Sequence, residues 1–226
     1  INKVTYLAPS IPEQPYLGYR NLQVSILKPG EVFGAFYGYK MIGVYQDEAE
    51  AAAGYENARV GGPKYADVSG PDGKPDGVVN TLDRTIIGNP HPDFIYSFSL
   101  NATFKNFDVV MFFNGSQGND LYEVTRQFTD FGLFGGAIST RLLDAWSPTN
   151  KDSKIPSPYA DRKGYEMNSS SYYVLDGSFF RMRNLQIGYN FGEKILGKHI
   201  KNLRAYVSAT NLFIITKYTG MDPEVS

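Results

Sequence analysis

Residues 94–119, FIYSFSLNATFKNFDVVMFFNGSQGN, form two alternating segments on either side of Lys105-Asn106. Apolar side chains recur at every second position, at Phe94, Tyr96, Phe98, Leu100, Ala102 and Phe104, and again at Phe107, Val109, Met111 and Phe113. Most of the intervening residues are polar, and a period of two places the two classes on opposite faces of a strand. The stretch predicts a β-hairpin whose strands, at about ten residues each, exceed the usual length of roughly five or six.

The composition of the 226-residue chain excludes several classes of function. A net charge of -1 does not favour nucleic-acid binding, and the absence of cysteine excludes disulfides and thiolate metal sites. Two histidines leave little material for a histidine-based catalytic or zinc cluster. The 17 Tyr and 15 Phe favour strands, and no apolar run is long enough for a transmembrane helix. Alternating segments of about ten residues, ended by tight turns, are also the repeating unit of transmembrane β-barrels.

The rest of the chain adds four predicted strands and two short helices. The strands are expected at 16–27, 34–46, 173–191 and 203–218, and the helices at 47–54 and 139–146. Long loops are expected at about 47–93 and 119–172, whereas the other connections from residue 34 onward are short. This alternation of long and short connections is typical of outer-membrane barrels. A soluble β-sandwich also has alternating strands and turns, so that alternative stays open.

Seven motifs, in order along the chain, resemble one known family. They are 34–46 (GAFYGYKMIGVYQ), 76–88 (DGVVNTLDRTIIG), 89–93 (NPHPD) with the hairpin that follows, 144–150 (DAWSPTN), 175–189 (LDGSFFRMRNLQIGY), 203–220 (LRAYVSATNLFIITKYTG) and 221–225 (MDPEV). Together they resemble the C-terminal part of a SusC/RagA-type TonB-dependent outer-membrane transporter of the Bacteroidota. The resemblance covers most of the chain from about residue 30 onward.

The resemblance implies an all-β fold made of antiparallel transmembrane β-barrel strands with long extracellular loops. Residues 1–226 would be the C-terminal portion of a 22-stranded barrel, with the plug domain and the last strand outside this fragment. It implies nutrient uptake across the bacterial outer membrane, with import of oligosaccharides or peptides. The implied partners are a SusD-like surface lipoprotein, the TonB complex, the substrate and outer-membrane lipid. No nucleic-acid partner and no enzymatic activity are expected.

In such a barrel, the polar residues of the alternating strands would face the lumen. The expected lumen-facing residues are Ser97, Asn101, Asp108, Asn114, Gln186, Asn190, Ser208 and Thr210. The apolar residues of the hairpin would form a lipid-facing belt about 25 Å tall. In the competing interpretation, a soluble secreted all-β carbohydrate-binding module, the same apolar residues would pack into a core. An enzyme ranks third, because no catalytic constellation assembles from the sequence.

The candidate metal site is a calcium loop, and no other cofactor is predicted. Asp76, the Val78 carbonyl, Asn80 and Asp83 match positions 5, 7, 9 and 12 of an EF-hand-like loop, and Asp67 supplies position 1. Ser69 would supply position 3. Two departures weaken the match: residues 71–75 are inserted, and position 12 is Asp instead of Glu. The alternative is an Asp/Gly turn that caps itself by hydrogen bonds from its side chains to its backbone.

Several other side chains carry competing interpretations. Arg181 and Arg183 alternate with Leu185, Ile187 and Tyr189, so they are expected on the same face, at a strand end that projects beyond the membrane. Trp146 would pack a short helix against its loop or, less favourably, stack on a substrate. Four tyrosines fit an aromatic girdle or ordinary strand packing: Tyr37, Tyr39, Tyr45 and Tyr189. His91 and His199 have no partner in sequence that suggests a triad or a zinc site.

Overall fold

The computed structural model describes residues 3–9, 11, 13–17, 22–131, 137–158, 168–192, 200 and 203–224. The strands are β1 (Gln14–Leu17), β2 (Gln23–Leu27), β3 (Ala35–Tyr39), β4 (Met41–Val44), β5 (Pro63–Tyr65), β6 (Arg84–Gly88), β7 (Phe94–Phe104), β8 (Phe107–Gln117), β9 (Asp120–Tyr122), β10 (Val174–Asp176), β11 (Phe179–Phe191) and β12 (Leu203–Thr216). The helices are α1 (Glu48–Ala52) and α2 (Arg126–Thr129), with 3₁₀ turns at Thr81–Asp83, Thr140–Asp144 and Ser171–Tyr173. Every strand pair with a defined register is antiparallel, which confirms the all-β prediction.

The chain divides into two compact units. Unit 1 comprises Ile1–His91 and Asp120–Leu175, and unit 2 comprises Pro92–Asn119 and Asp176–Ser226. Unit 2 is built on one four-stranded sheet in the order β7-β8-β11-β12. Its strands are 11, 11, 13 and 14 residues long, well above the usual strand length of about five or six.

The predicted hairpin of unit 2 is confirmed residue by residue. Strands β7 and β8 pair without interruption from Phe94 opposite Gln117 to Phe104 opposite Phe107. Lys105 and Asn106 form the two-residue turn, and Lys105 has a φ of 54°. Two-residue hairpin turns require left-handed backbone at one or both central positions, which matches this geometry.

The alternation of the sequence gives the unit 2 sheet one apolar and one polar face. Across the four strands, Leu100 lies opposite Met111, Met111 opposite Leu185, and Leu185 opposite Ala209. The same register aligns Ala102, Val109, Ile187 and Val207. Many of the apolar side chains of this face are at least about half exposed: Phe98 50%, Leu100 50%, Phe107 51%, Ile187 46% and Val207 76%.

A β-bulge interrupts β11 at Arg183. Asn184 lies opposite Phe112 and Met182 lies opposite Phe113, so two steps along β11 match one step along β8. An extra residue of this kind shifts the phase of the alternation, and the residues on either side of it change faces.

The bulge makes the face expected for Arg181 wrong. Arg181 lies opposite Asn114 on the polar face, whereas Leu185 lies opposite Met111 on the apolar face. Strict alternation from Leu185 back to Arg181 would place both side chains on one face. That expectation takes no account of an inserted residue, which is visible only from the pairing with β8. Arg181 is buried, with 5% of the whole residue exposed.

Unit 1 has more strands than the sequence predicts. The segment 16–27, expected as one strand, contains the end of β1 and all of β2, which pair antiparallel with Tyr16 opposite Ser25. The segment 34–46 divides into β3, which joins the sheet β1-β2-β3-β6, and β4, which pairs with β5. Strands β5 and β6 both fall within 47–93, expected as loop. They are short and flanked by Gly, Pro and Asp, so no periodicity could reveal them.

The core of unit 1 contains a cluster of tyrosines. The Tyr39 and Tyr65 rings stack with centroids 4.8 Å apart, and Tyr55 packs edge-on to Tyr39 at 5.5 Å. Tyr45 is 2% exposed, and its hydroxyl accepts a hydrogen bond from the Tyr55 N–H at 3.3 Å. Tyr39 and Tyr45 therefore match the packing interpretation and not the girdle interpretation.

The short helices form where the sequence predicts them. Asp47 caps α1 by accepting a hydrogen bond from the Glu50 N–H at 2.9 Å. The segment 139–146 forms a 3₁₀ turn instead of an α-helix, capped by Ser139, whose hydroxyl accepts from the Arg141 N–H. Within the described residues, no helix combines the length and the apolarity that crossing a membrane requires.

Candidate functional site

The polar face of the unit 2 sheet brings together all eight residues expected to face a lumen. Ser97 lies opposite Asn114, Asn101 opposite Val110, and Gln186 opposite Ser208. The same register places Asp108, Asn190 and Thr210 on this face. The face is dominated by uncharged amides and hydroxyls, which form hydrogen bonds with water or with a polar ligand without an ion-pair partner.

This face also carries an ion pair that the sequence does not predict. Arg204 binds both carboxylate oxygens of Asp108, with Nε 3.0 Å from Oδ1, and Asn190 donates to the same Oδ1 at 3.2 Å. Gly188 leaves room for the pair, since a Cβ there would lie 2.5 Å from Arg204 Nη2. Arg204 alternates with Leu203 and Ala205, so its face could have been predicted, but its partner Asp108, which lies 96 positions earlier in the chain, could not.

A second charged cluster joins β11 to the chain that follows β12. The Arg181 guanidinium contacts Asp222 at 2.5 Å and Glu224 at 3.3 Å, and Arg183 also pairs with Glu224. The Glu224 N–H donates to Asp222 Oδ1 at 2.9 Å, which closes a tight turn around Pro223. The backbone N–H of Glu224 and then Arg181 hold the pKa of Asp222 below its ordinary value.

Unit 1 contains a buried polar cluster with no signal in the sequence. Asp130 is 1% exposed and accepts hydrogen bonds from the Tyr172 hydroxyl at 2.5 Å and from Arg141 at 2.9 Å. Arg126 donates to the Tyr172 carbonyl at 2.7 Å. The carboxylate is fully occupied by these donors, so the cluster stabilises a loop and offers no free acid or base.

The predicted calcium loop is closed by its own hydrogen bonds. Asp83 is fully buried, and its Oδ1 accepts from the N–H groups of Val68 at 2.7 Å and Ser69 at 3.0 Å. Its Oδ2 accepts from the Asn80 N–H at 2.7 Å. Asn80 Oδ1 accepts from the Leu82 N–H at 2.8 Å. The Asn80 side chain also accepts from the Asp83 N–H, which together with the bond from the Asn80 N–H to Asp83 forms a capping box.

The other expected calcium ligands are also bonded within the loop. Asp67 Oδ2 accepts from the Gly77 N–H at 2.6 Å, and Asp76 Oδ1 accepts from the Val78 N–H at 3.0 Å. In the described ranges, no three His, Cys, Asp or Glu side chains are grouped so that they could hold a metal ion. These bonds agree with the alternative interpretation, a self-capping turn, and calcium binding stays a prediction.

Asp83→Asn is expected to weaken the closure of this loop by about 1–3 kcal/mol, because the amide presents N–H groups to a backbone N–H that needs an acceptor. Burial alone raises the pKa of Asp83, but the N–H donors of Asn80, Ser69 and Val68 outweigh it, and the net shift is downward. The stabilisation is therefore present when the pH is above the ordinary pKa of aspartate, and it is lost as the pH falls below about 4. Hydrogen exchange of the Val68, Ser69 and Asn80 amides measures the effect.

The matched control is Asp72→Asn in the same loop, where the side chain is exposed and a change within about 0.5 kcal/mol is expected. Equal protection in Asp83→Asn and the parent would contradict the assigned role. The same exchange experiment with calcium and with chelator tests the calcium prediction, since a bound ion would raise the protection of the loop.

Trp146 packs against its own unit. It is 8% exposed, its indole Nε1 donates to Gln46 Oε1 at 2.9 Å, and a Cβ on Gly61 would lie 2.7 Å from its ring. Trp146 also contributes to the wall of a groove of about 670 Å³, together with Leu142 and Leu143. This geometry favours the packing interpretation over substrate stacking.

The histidines form no catalytic or metal cluster in the described part of the chain. His91 Nε2 lies 2.8 Å from the Phe33 carbonyl oxygen, and the backbone N–H of His91 donates to Asn89 Oδ1 at 3.0 Å. His199 lies outside the described residues.

The chain is similar in sequence to several TonB-dependent receptors. It is 38% identical over 208 residues to TonB-dependent receptor P3 of Formosa agariphila, a match that covers 90% of this chain and 20% of the relative. It is 27% identical over 210 residues to TonB-dependent receptor SusC of Bacteroides thetaiotaomicron, covering 91% and 18% respectively. The chain thus spans about a fifth of the length of the curated relatives that it matches.

The fold is similar to that of a solved transporter. The structure of the RagAB peptide transporter superposes on this chain with a TM-score of 0.73 at 21% identity, covering 99% of this chain and 23% of that one. The RagAB importer in its "open-open" state gives a TM-score of 0.71 at 23% identity, with the same coverage. No family model matches the chain.

Long antiparallel strands with one apolar and one polar face define the class as an all-β protein with the fold found in RagAB. Over about nine-tenths of its length the chain is homologous to the TonB-dependent receptors, SusC among them, which confirms the resemblance carried by its motifs. The relatives are named as receptors or transporters, not as enzymes.

Proposed function

We propose that this chain is part of a TonB-dependent transporter that imports oligosaccharides or peptides across the bacterial outer membrane. The observation that carries the proposal is the unit 2 sheet, in which four long strands share one exposed apolar face. Monomeric soluble proteins rarely expose large contiguous apolar patches, whereas strands in a membrane barrel place such a face against lipid.

The two faces of the sheet have separate roles in this proposal. The apolar face, with Leu100, Met111 and Ile187, contacts the hydrocarbon core of the outer membrane. The polar face, with its amides, hydroxyls and the Asp108–Arg204 ion pair, lines the lumen of a barrel to which other strands also contribute. Water or the polar surface of a plug then provides hydrogen-bond partners to residues such as Ser97 and Asn101.

The proposed partners follow from the relatives. SusC-like and RagA-like transporters suggest a SusD-like lipoprotein at the cell surface and energy supplied through TonB. One relative is SusC, and the similar structures are described as a peptide importer. Oligosaccharides and peptides therefore both remain within the proposed substrate class, and no enzymatic step is included.

Cell fractionation combined with uptake tests this proposal. The protein is expected in the outer-membrane fraction, to require detergent for extraction, and to support uptake of its substrate only when TonB is functional. A TonB-deficient strain expressing the same amount of protein is the control for loss of energy coupling. Recovery as a monomer from the soluble fraction without detergent would contradict the proposal and favour the secreted carbohydrate-binding module.

A further inference from the structure

The unusual feature of unit 1 is an arginine without a carboxylate partner at the edge of a cleft. Arg84, the first residue of β6, lies opposite Tyr39 of β3. Its Nη1 donates to Gln23 Oε1 at 2.6 Å, and its Nη2 donates to the Gln23 carbonyl at 2.7 Å. Across the described residues Arg84 makes no ion pair, so its positive charge is balanced only by these neutral oxygens.

The geometry fixes the guanidinium and leaves part of it available. Its Cζ lies 4.6 Å from the centroid of the Tyr37 ring, a cation–π contact that holds the plane in place. A guanidinium has five N–H donors, and the two bonds to Gln23 use two of them. Three donors therefore remain for a ligand, in the fork geometry that matches a carboxylate.

The nearest acid in sequence does not neutralise this charge by contact. Asp83 is fully buried, and both of its oxygens are occupied by the N–H groups of Val68, Ser69 and Asn80. The Arg84 side chain is only partly buried, so the charge is accessible from the cleft. A guanidinium that neutral groups already hold in place loses little conformational entropy when an anion binds, so the fixed geometry favours anion binding.

The remaining walls of the cleft are uncharged, and all but one of them, Leu22, are polar or aromatic. The cleft has a volume of about 220 Å³ and is lined by Arg84, Gln23, Tyr39, Tyr55, Thr81 and Asn168, among others. The side chains of Thr81 and Asn168 have no hydrogen-bond partner in the described part of the chain. The volume is below the roughly 300–1,000 Å³ of sites for drug-sized ligands, so the cleft suits one small group.

We infer that this cleft binds the carboxylate of a sugar acid, with Arg84 pairing with the carboxylate and Thr81, Asn168 and Tyr55 contacting the hydroxyl groups. The neutral hydroxyl and amide groups favour a polyhydroxylated ligand over an apolar acid, because each can pair with a ligand hydroxyl. That this ligand forms part of an imported substrate rests on the proposed function, whereas binding itself does not depend on transport.

The test compares galacturonate with galactose, which differ by a carboxylate in place of a hydroxymethyl group. In the purified full-length protein, galacturonate is expected to bind about tenfold to hundredfold more tightly than galactose, the range expected for hydrogen bonds to a charged group. Arg84→Gln is expected to abolish this preference, and Arg84→Lys to retain part of it, because lysine keeps the charge but loses the fork. Lys151→Gln, which removes one exposed positive charge outside the cleft, is expected to leave it unchanged.

Equal affinity for the two sugars in the parent protein, or an undiminished preference in Arg84→Gln, would overturn the inference. N-acetylglycine supplies a carboxylate without the hydroxyl groups, and its binding is expected to be weaker than that of galacturonate. Equal binding would overturn the assignment to a sugar acid and point to a peptide carboxylate. Binding of galacturonate without TonB-dependent uptake of saccharides that contain it would separate this ligand from the imported substrate and leave the cleft assignment intact.

Discussion

Leu100→Arg is expected to lower the free energy of unfolding of the membrane-inserted protein by about 2–4 kcal/mol, the cost of an arginine on the lipid face near the bilayer midplane. Leu100 lies near the middle of β7, between Phe98 and Ala102 on the apolar face, opposite Met111. Its side chain is 50% exposed in this structure, so the expected loss does not come from overpacking a core. Urea unfolding in lipid vesicles, or the fraction of protein that assembles, measures the effect.

Asn101→Arg is the matched control, since it introduces the same side chain one position along, on the polar face opposite Val110. A change well under 1 kcal/mol is expected there, because water reaches that face in the proposed barrel. If both substitutions are tolerated equally, the apolar face does not contact lipid. That outcome would support a water-exposed sheet.

Removing Asp222 and Glu224 together is expected to destabilise unit 2 by about 3 kcal/mol. A buried charge that loses its partners costs about 3–5 kcal/mol, and the two carboxylates are roughly one-third exposed, which favours the low end of the range. The Arg181 side chain is 7% exposed, so few waters can replace the lost oxygens. Unfolding of the Asp222→Ala/Glu224→Ala variant against the parent measures the loss.

Adding Arg181→Met to that double variant is expected to recover most of the stability, because methionine fills the space without a charge. The contribution of Asp222 also depends on pH. Since its pKa lies below the ordinary value, the stabilisation is complete above that value and is lost as the pH falls below about 4. No recovery in the triple variant would mean that the carboxylates act through the turn at Pro223 and not through Arg181.

The sequence predicted those parts of the fold in which one period persists over many residues. The hairpin, its turn at Lys105-Asn106 and the polar face of residues 184–190 and 204–210 follow from an uninterrupted alternation. The bulge at Arg183 could not be predicted, because an inserted residue is visible only against its partner strand. Strand β6 was missed because five residues between Asp/Gly-rich turns carry no measurable period.

The candidate sites were predictable only where the partners lie close in sequence. The polar face and the loop containing Asp67 and Asp83 follow from local patterns. In the loop, however, the carboxylates, which the sequence presented as ligands of a calcium ion, accept hydrogen bonds from backbone N–H groups. The sequence does not single out Arg84, because its neutral partner Gln23 is 61 positions away. Nothing in the sequence around Arg84 indicates that a carboxylate partner would be missing.

The outer strands of the unit 2 sheet have a consequence for any attempt to isolate it. Among the described residues, β7 pairs only with β8 and β12 pairs only with β11. Each therefore presents one side of 11 or 14 residues whose outward N–H and C=O groups offer a template to another strand. The sheet thus has two free edges, each of which can pair with one more strand. If the sheet is separated from flanking strands, its copies are expected to join edge to edge. Each added copy leaves its other edge free, so that another copy can pair with it.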